Sequence, residues 1–202
     1  MAVDARGSRV RAVVRAITGQ DVAPARGGDP RSAHRPDERL YSFANRKLAN
    51  SRAQMNELLI LGFDVYTQPV ERTIDILRRR GIDMSKVSRA TWENRPVFVV
   101  GADAGDSTSK QFWIDAERLL FVRLVETVKT PNGSRRDEYR FQRYVPHGQS
   151  WVAEEVTGLR DGKPSLREVY ANVRVDVPID DALFDPAQLA THTPWYKRNP
   201  AQ

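Results

Sequence analysis

The chain has 202 residues and 22.9 kDa, enough for one domain with a buried core, and it contains no cysteine, which excludes disulfides and cysteine–metal sites. No apolar run approaches the roughly 18 residues that a membrane-spanning helix needs. The formal net charge of +6 would favour binding to nucleic acid or anionic lipid. An arginine-rich composition also produces such a charge without any binding role.

The first 37 residues carry seven arginines but neither lysine nor glutamate. Within them "SRVRAVVRAITG" can form a short helix, which has two interpretations: a basic helix on a membrane surface, or part of a poorly ordered arm. The arm is favoured because the apolar face is small and "APARGGDPRSAHRPD" follows. We therefore predict a basic, disordered arm over 1–37, a domain over 38–188 and a tail over 189–202.

Helix and turn signals follow in the next segment. "RLYSFANRKLAN" predicts a strand, a turn and a second strand, and "QMNELLILGFDVY" predicts a short buried helix or turn that Gly62 breaks. The clearest helix is "QPVERTIDILRRRG", with Pro69 suited to its first turn. Gly81 can take the left-handed conformation that ends a helix, after which Ile82 folds back on the last turn.

From Arg89 onward the chain reads as strands joined by short turns. "QFWID" and "RLLFVRLVETV" predict a hairpin around 115–118, and Asn132-Gly133 predicts a turn with two positive φ angles. In the last strand alternation predicts four buried valines. Successive short connections predict an antiparallel meander. The four valines are Val169, Val173, Val175 and Val177.

Two of these strands are apolar on both faces, at "VFVV" and "LLFV". Such strands are expected at the centre of a sheet, with something covering each side. The helix over 69–80 is the natural cover for one side. The other side is left to face solvent, a ligand or another chain.

Catalytic signals are weak. The three histidines, His34, His147 and His192, are far apart in loop-like settings, and no zinc-protease, nucleophile-elbow or phosphate-loop spacing occurs. We therefore expect no enzyme, no catalytic residue, no metal and no cofactor.

Two further groups of side chains have competing interpretations. A cation site and solvated turns both explain Asp103, Asp106 and Asp115, and turns are favoured. A ligand site and a buried core both explain a set of aromatic residues, and a core is favoured because aromatics in a sheet are usually buried. These aromatics are Trp92, Trp113 and Trp151.

Five stretches, in this order, carry a family resemblance: "NELLILGFDVYTQPVERT", "NRPVFVVGADAGD", "QFWIDAERLLFVRL", "DGK" and "REVYANVRVDVPIDDALFDP". Together they resemble the bacterial outer-membrane lipoprotein-sorting proteins of the LolA/LolB/LppX superfamily, over roughly Leu40 to Pro186. The resemblance implies an α+β fold: an incomplete antiparallel β-barrel, or half-barrel meander, with one or two helices packed as a lid. It also implies a periplasmic carrier whose oily concave face holds acyl chains.

The chain departs from the family at its start, where the arginine-rich arm stands in place of a signal peptide, a helix and several strands. We expect an N-terminally truncated or divergent chain, cytoplasmic if expressed as written, because arginines interrupt every candidate signal region. The family's cargo-contacting arginine would lie in the missing part, so no cargo-binding residue is carried over.

Physical chemistry is consistent with a carrier, since burying about 14 methylenes of an acyl chain gains on the order of 10 kcal/mol before ordering costs. We predict lipid acyl chains or lipoproteins as ligands, with room for an envelope protein partner and no specific nucleic acid. Two alternatives stay open: an interaction module that pairs through its sheet edge, and a basic nucleic-acid binder. The candidate cavity residues are Leu58, Leu59, Leu61, Phe63, Val97, Val99, Phe112, Trp113, Ile114, Leu120, Phe121 and Val122.

Overall fold

A computed structural model describes residues 39–44, 47–53, 57–66, 68–148 and 150–175. These residues fall into two compact units. The smaller holds the predicted strand–turn–strand, in which β1 (Arg39–Ala44) pairs antiparallel with β2 (Lys47–Ala53). The arm over 1–37, the tail over 189–202, His34, His192 and Val177 lie outside the described residues.

The larger unit contains a seven-stranded antiparallel sheet in which each strand pairs with its neighbours in the chain. The predicted meander is therefore confirmed, and over the described residues the sheet is open rather than closed. With the two short helices it makes an α+β fold. The strands are β3 (Val87–Trp92), β4 (Arg95–Val100), β5 (Gln111–Asp115), β6 (Phe121–Thr130), β7 (Gly133–His147), β8 (Ser150–Arg160) and β9 (Lys163–Val169).

Two helices precede the sheet: α1 (Glu57–Gly62), followed by a 3₁₀ turn (Asp64–Tyr66), and α2 (Val70–Arg79). Pro69 is the N-cap residue of α2, one position before the first turn in which the sequence placed it, and Gly81 has a φ of 83°, as the sequence predicted. The amide of Ile82 donates to the carbonyl of Leu77 at 3.1 Å, which closes the last turn.

The residues before the sheet contact one of its faces. A Cβ on Gly62 would lie 3.0 Å from the ring of Phe141, so α1 reaches β7 without space for a larger residue. The Tyr66 hydroxyl donates to the Leu119 carbonyl at 3.4 Å. Alternation along the strands assigns further buried side chains to this helix-side face: Phe98, Val100, Phe112, Ile114, Phe121 and Leu124.

Close backbone approach makes one glycine indispensable. Gly101 follows β4 with a φ of 102°, a conformation open mainly to glycine. A Cβ there would meet the Lys110 carbonyl oxygen at 2.4 Å and Ile82 Cγ2 at 3.0 Å. The sequence thus places glycine where the loop between β4 and β5 crosses its own backbone.

Turn chemistry differs from the prediction at one hairpin. Thr130 pairs with Gly133, so the two loop residues are Pro131 and Asn132, and only Gly133 has a positive φ. The expected pair of positive φ angles at Asn132-Gly133 is wrong because Pro131 fixes a negative φ inside the loop. Two positive φ angles occur instead in the turn between β3 and β4, at 93–94, with values of 48° and 61°.

The last strand departs from the predicted burial. All seven residues of β9 are exposed, and Val169 is 48% exposed, so its expected burial is wrong. Val173 and Val175 lie beyond the strand and are half-buried. The reason is topological: β9 is one of the two outer strands, and among the described residues it has a partner, β8, on one side only.

Candidate functional site

A continuous cross-strand row runs over the sheet face opposite the helices. Val99 pairs with Trp113 on β5, Trp113 with Arg123 on β6, and Arg123 with Arg140 on β7. Residues opposite one another in an antiparallel sheet project from the same face. This face therefore changes along one line from aliphatic, through aromatic, to cationic.

The aliphatic and aromatic end forms a compact group, which we call the tryptophan patch. Its buried base is Val97, Val99 and Val122 together with Ala102. The indoles of Trp92 and Trp113 meet edge to face, with ring centroids 5.4 Å apart, a favoured aromatic geometry. The partly buried side chains that pack against this base are Ala90, Trp92, Trp113 and Tyr144.

The cationic end is organised around a single carboxylate. Arg123 lies between the two indoles, with its guanidinium carbon 4.4 Å from each ring centroid. It donates from Nε to Oε1 of Glu138 at 3.0 Å and from Nη2 to Oε2 at 2.9 Å. Stacking on both rings and a bidentate carboxylate together fix this guanidinium in one orientation.

Two more arginines converge on the same carboxylate. Arg140 donates to Glu138 Oε1 at 2.6 Å, and the Nη1 of Arg136 lies 3.4 Å from Glu138 Oε2. We call Arg123, Arg136 and Arg140 around Glu138 the arginine cluster. Burial raises the pKa of Glu138, but the hydrogen bonds from Arg123 and Arg140 outweigh it and hold that pKa below its ordinary value. Three guanidiniums against one carboxylate leave the cluster with a net charge of +2.

Next to the patch a small cleft of about 50 Å³ opens between Tyr144, Val122 and the turn from β5 to β6. At its edge the buried carboxylate of Asp115 accepts hydrogen bonds from Arg95 Nε at 2.6 Å and Arg118 Nε at 2.9 Å. Ligand pockets for drug-sized molecules measure roughly 300–1,000 Å³. This cleft is too small to enclose an acyl chain.

The predicted cavity residues divide between the two sides of the sheet. Phe112, Ile114 and Phe121 are buried on the helix-side face, and Leu120 is buried in the turn before β6. On or next to α1, Leu61 is buried, Leu58 and Leu59 are half-buried and Phe63 is 57% exposed. The residues that meet at the tryptophan patch are Val97, Val99, Trp113 and Val122.

The three acids considered as a cation site take separate roles. Asp103 pairs with Lys86 at 2.6 Å, and Asp115 joins two arginines. Asp106 accepts hydrogen bonds from Thr108 and Ser109, which hold its pKa below the ordinary value. Over the described residues no group of three acids or histidines is placed to hold a metal ion.

Of the three tryptophans, Trp92 and Trp113 meet, while Trp151 is 43% exposed with Arg118 over its ring. Sequence reasoning missed the arginine cluster. Alternation along "DEYRFQRY" does put Glu138 and Arg140 on one face, but Arg123 joins them only through the β6–β7 register.

Comparison of the chain with known protein families, curated proteins and solved structures finds no match. The resemblance to lipoprotein-sorting proteins therefore stays a prediction. None of the helices in the described ranges has both the length and the apolar character needed to cross a bilayer.

Proposed function

We propose that this chain is a non-enzymatic binding or carrier protein for lipid acyl chains or lipidated proteins of the bacterial envelope, working in the periplasm. The tryptophan patch carries the proposal, because it combines aliphatic side chains with amphipathic rings on the sheet face opposite the helices. Indole rings suit a surface that is apolar at one end and wet at the other. The family resemblance supports the same ligand class.

The ligand region is narrower than the predicted cavity. Phe112 and Phe121 are 0% and 2% exposed, so they serve as core beneath the helices. An acyl chain would lie against Trp92, Trp113 and Tyr144, whose rings are partly exposed. In this placement the helices do not cover the chain, because they lie on the other face of the sheet.

Surface contact limits the affinity. A chain of about 14 methylenes that buries one side gains roughly half of its full transfer energy, or about 5 kcal/mol before ordering costs. That corresponds to dissociation constants no tighter than about 0.1 mM. Micromolar binding would require the tryptophan patch to open further around the chain.

The test uses a fluorescent acyl probe displaced by an uncharged monoacylglycerol at about 0.15 M salt, so that headgroup attraction does not mimic affinity. Trp92→Ala should weaken binding at least about threefold, and Phe63→Ala, an exposed aromatic truncation beside α1, should leave it unchanged. Each variant's melting temperature is measured alongside. Absence of saturable displacement by the folded protein overturns the proposal, and dependence on Phe63 rather than Trp92 overturns the placement.

At β9, one of the two outer strands of the sheet, the edge-pairing alternative is disfavoured. That strand begins with Lys163 and Pro164, and its register with β8 shifts between Gly158 and Leu159. Charge, proline and a bulge are features by which proteins prevent edge strands from pairing. Nucleic-acid binding is also less favoured, because the sequence contains no nucleic-acid recognition motif.

A further inference from the structure

The arginine cluster has more positive charge than its own carboxylate neutralises. Glu138 is 5% exposed and serves three arginines, whose side chains range from 13% exposed for Arg123 to 36% for Arg136. Arg123 donates to Glu138 through both Nε and Nη2, whereas Arg140 is 31% exposed and donates to Glu138 through Nε. The part of the cluster that reaches solvent therefore keeps cationic donors.

One donor of the cluster is buried and unmatched. Among the described residues the Nε of Arg136 has no hydrogen-bond partner, although the atom is shielded from solvent. A buried donor without an acceptor costs free energy, and structures usually supply a partner from water, an ion or a ligand. An anion is the acceptor that an arginine donor prefers.

The cluster also adjoins the apolar surface. Arg123 touches both indoles of the tryptophan patch, and Arg140 lies over Trp92 with its guanidinium carbon 5.2 Å from the ring centroid. An amphiphile with an apolar chain on the indoles would thus have its polar end beside the guanidiniums. The cross-strand row runs from Val99 to Arg140, so the apolar end of the amphiphile would lie toward Val99 and its polar end toward Arg140.

From these observations we infer that the arginine cluster binds the phosphate of an anionic lipid whose acyl chain lies on the tryptophan patch. The occupant is a lipid headgroup rather than free phosphate, because charge and apolar surface are continuous. This assignment rests on the proposed function and deepens it by naming the ligand's charge. Arg136 and Arg140 contact the phosphate, and Arg123 is a positioning residue held by Glu138.

The experiment compares two ligands with the same acyl chain, a monoacylglycerol and a lysophosphatidic acid, as competitors of one fluorescent acyl probe on the full chain. Each contacting cation contributes roughly fivefold, so with two arginines the lysophosphatidic acid should displace the probe at a concentration about 25-fold lower. Arg140→Gln should reduce this ratio by about fivefold. Arg167→Gln is the matched control, since it also removes one cation from the same face. Arg167 pairs with Glu155 outside the cluster, so this change should leave the ratio unchanged.

A third variant moves the result in the opposite direction. Glu138→Gln removes the neutralising carboxylate, so the ratio should rise, whereas a purely structural cluster predicts only a lower melting temperature and an unchanged ratio. Equal affinity for the two competitors overturns the phosphate site and leaves the carrier standing. Failure of both competitors overturns the carrier itself. Displacement by inorganic phosphate alone, or Arg140-dependent binding of a single-stranded oligonucleotide in place of lipid, overturns the lipid assignment.

Discussion

Asp115 links the turn between β5 and β6 to two arginines, and its replacement by alanine should remove a large part of the domain's stability. The carboxylate is 1% exposed. Its Oδ1 accepts from the amides of Glu117 at 3.0 Å and Arg118 at 2.8 Å, and its Oδ2 accepts from Arg95 and Arg118 side chains. Burial raises the pKa of Asp115, but these donors outweigh it and lower the pKa overall.

The magnitude follows from what each donor loses. Removing one partner of a buried, charge-assisted hydrogen bond costs roughly 1.5–3 kcal/mol, but Arg95 and Arg118 are 37% and 29% exposed and can rehydrate. We therefore expect Asp115→Ala to cost about 3 kcal/mol, mainly through the two amides. Asp115→Asn keeps an acceptor for those amides and should cost about half as much.

Thermal unfolding followed by circular dichroism measures the difference, with about 3 kcal/mol corresponding to a fall of roughly 6–12 °C in melting temperature. Asp106→Ala is the matched control, since Asp106 also accepts from two amides of a turn, those of Thr108 and Ser109, but is half-buried where Asp115 is fully buried, so its amides can rehydrate. Its loss should be clearly smaller. A loss below about 1 kcal/mol for Asp115→Ala, or equal losses at both sites, would refute the reasoning.

Because the folded pKa of Asp115 lies below its unfolded value near 3.9, the stability it adds is present above about pH 4 and lost as the pH falls. The melting-temperature gap between wild type and Asp115→Asn should therefore shrink between about pH 6 and pH 3, and a constant gap would contradict this. Gly101→Ala should lower the free energy of unfolding by at least about 3 kcal/mol, measured in urea. Gly105→Ala is the control and should cost about 1 kcal/mol, because Gly105 shares a positive φ but a Cβ there would have no neighbour within 4 Å. Similar costs for the two variants would show that the clash at Gly101 is relieved. Tyr144→Phe should cost about 1 kcal/mol in the same assay, because the Tyr144 hydroxyl donates to the carbonyl of Phe121 in β6 at 2.6 Å. Tyr170 is exposed, so Tyr170→Phe should be nearly neutral. A larger loss at Tyr170 than at Tyr144 would count against a role for that hydrogen bond.

Local signals in the sequence predicted most of the element order. Helix α2 was predicted from its apolar stripe and its ends, because Pro69 and Gly81 act through their own backbone geometry. The meander was predicted because short turns force consecutive strands to pair antiparallel. The Asn132-Gly133 pair alone did not predict its turn correctly, because the neighbouring Pro131 moved the loop from 132–133 to 131–132.

The candidate site was harder to predict because it depends on register and position in the sheet. Alternation puts Phe121 and Arg123 on one face, but the register irregularity between β5 and β6 leaves them on opposite faces, with Val122 and Arg123 both on the face of Trp113. Val169 has the pattern of a buried residue and is exposed because its strand is the outer one. Arg123 and Glu138 are 15 residues apart and meet only across a hairpin.

The strict succession of strands from β3 to β9 has a kinetic consequence. Adjacent strands of this sheet are also consecutive in the chain, so no pairing depends on a segment that is distant in sequence. The entropy of closing a loop grows with its length, and the short turns of this sheet keep that barrier small. The sheet should therefore fold faster than sandwiches of similar size, growing outward from the β7–β8 hairpin, whose strands have 15 and 11 residues, and reaching β3 last.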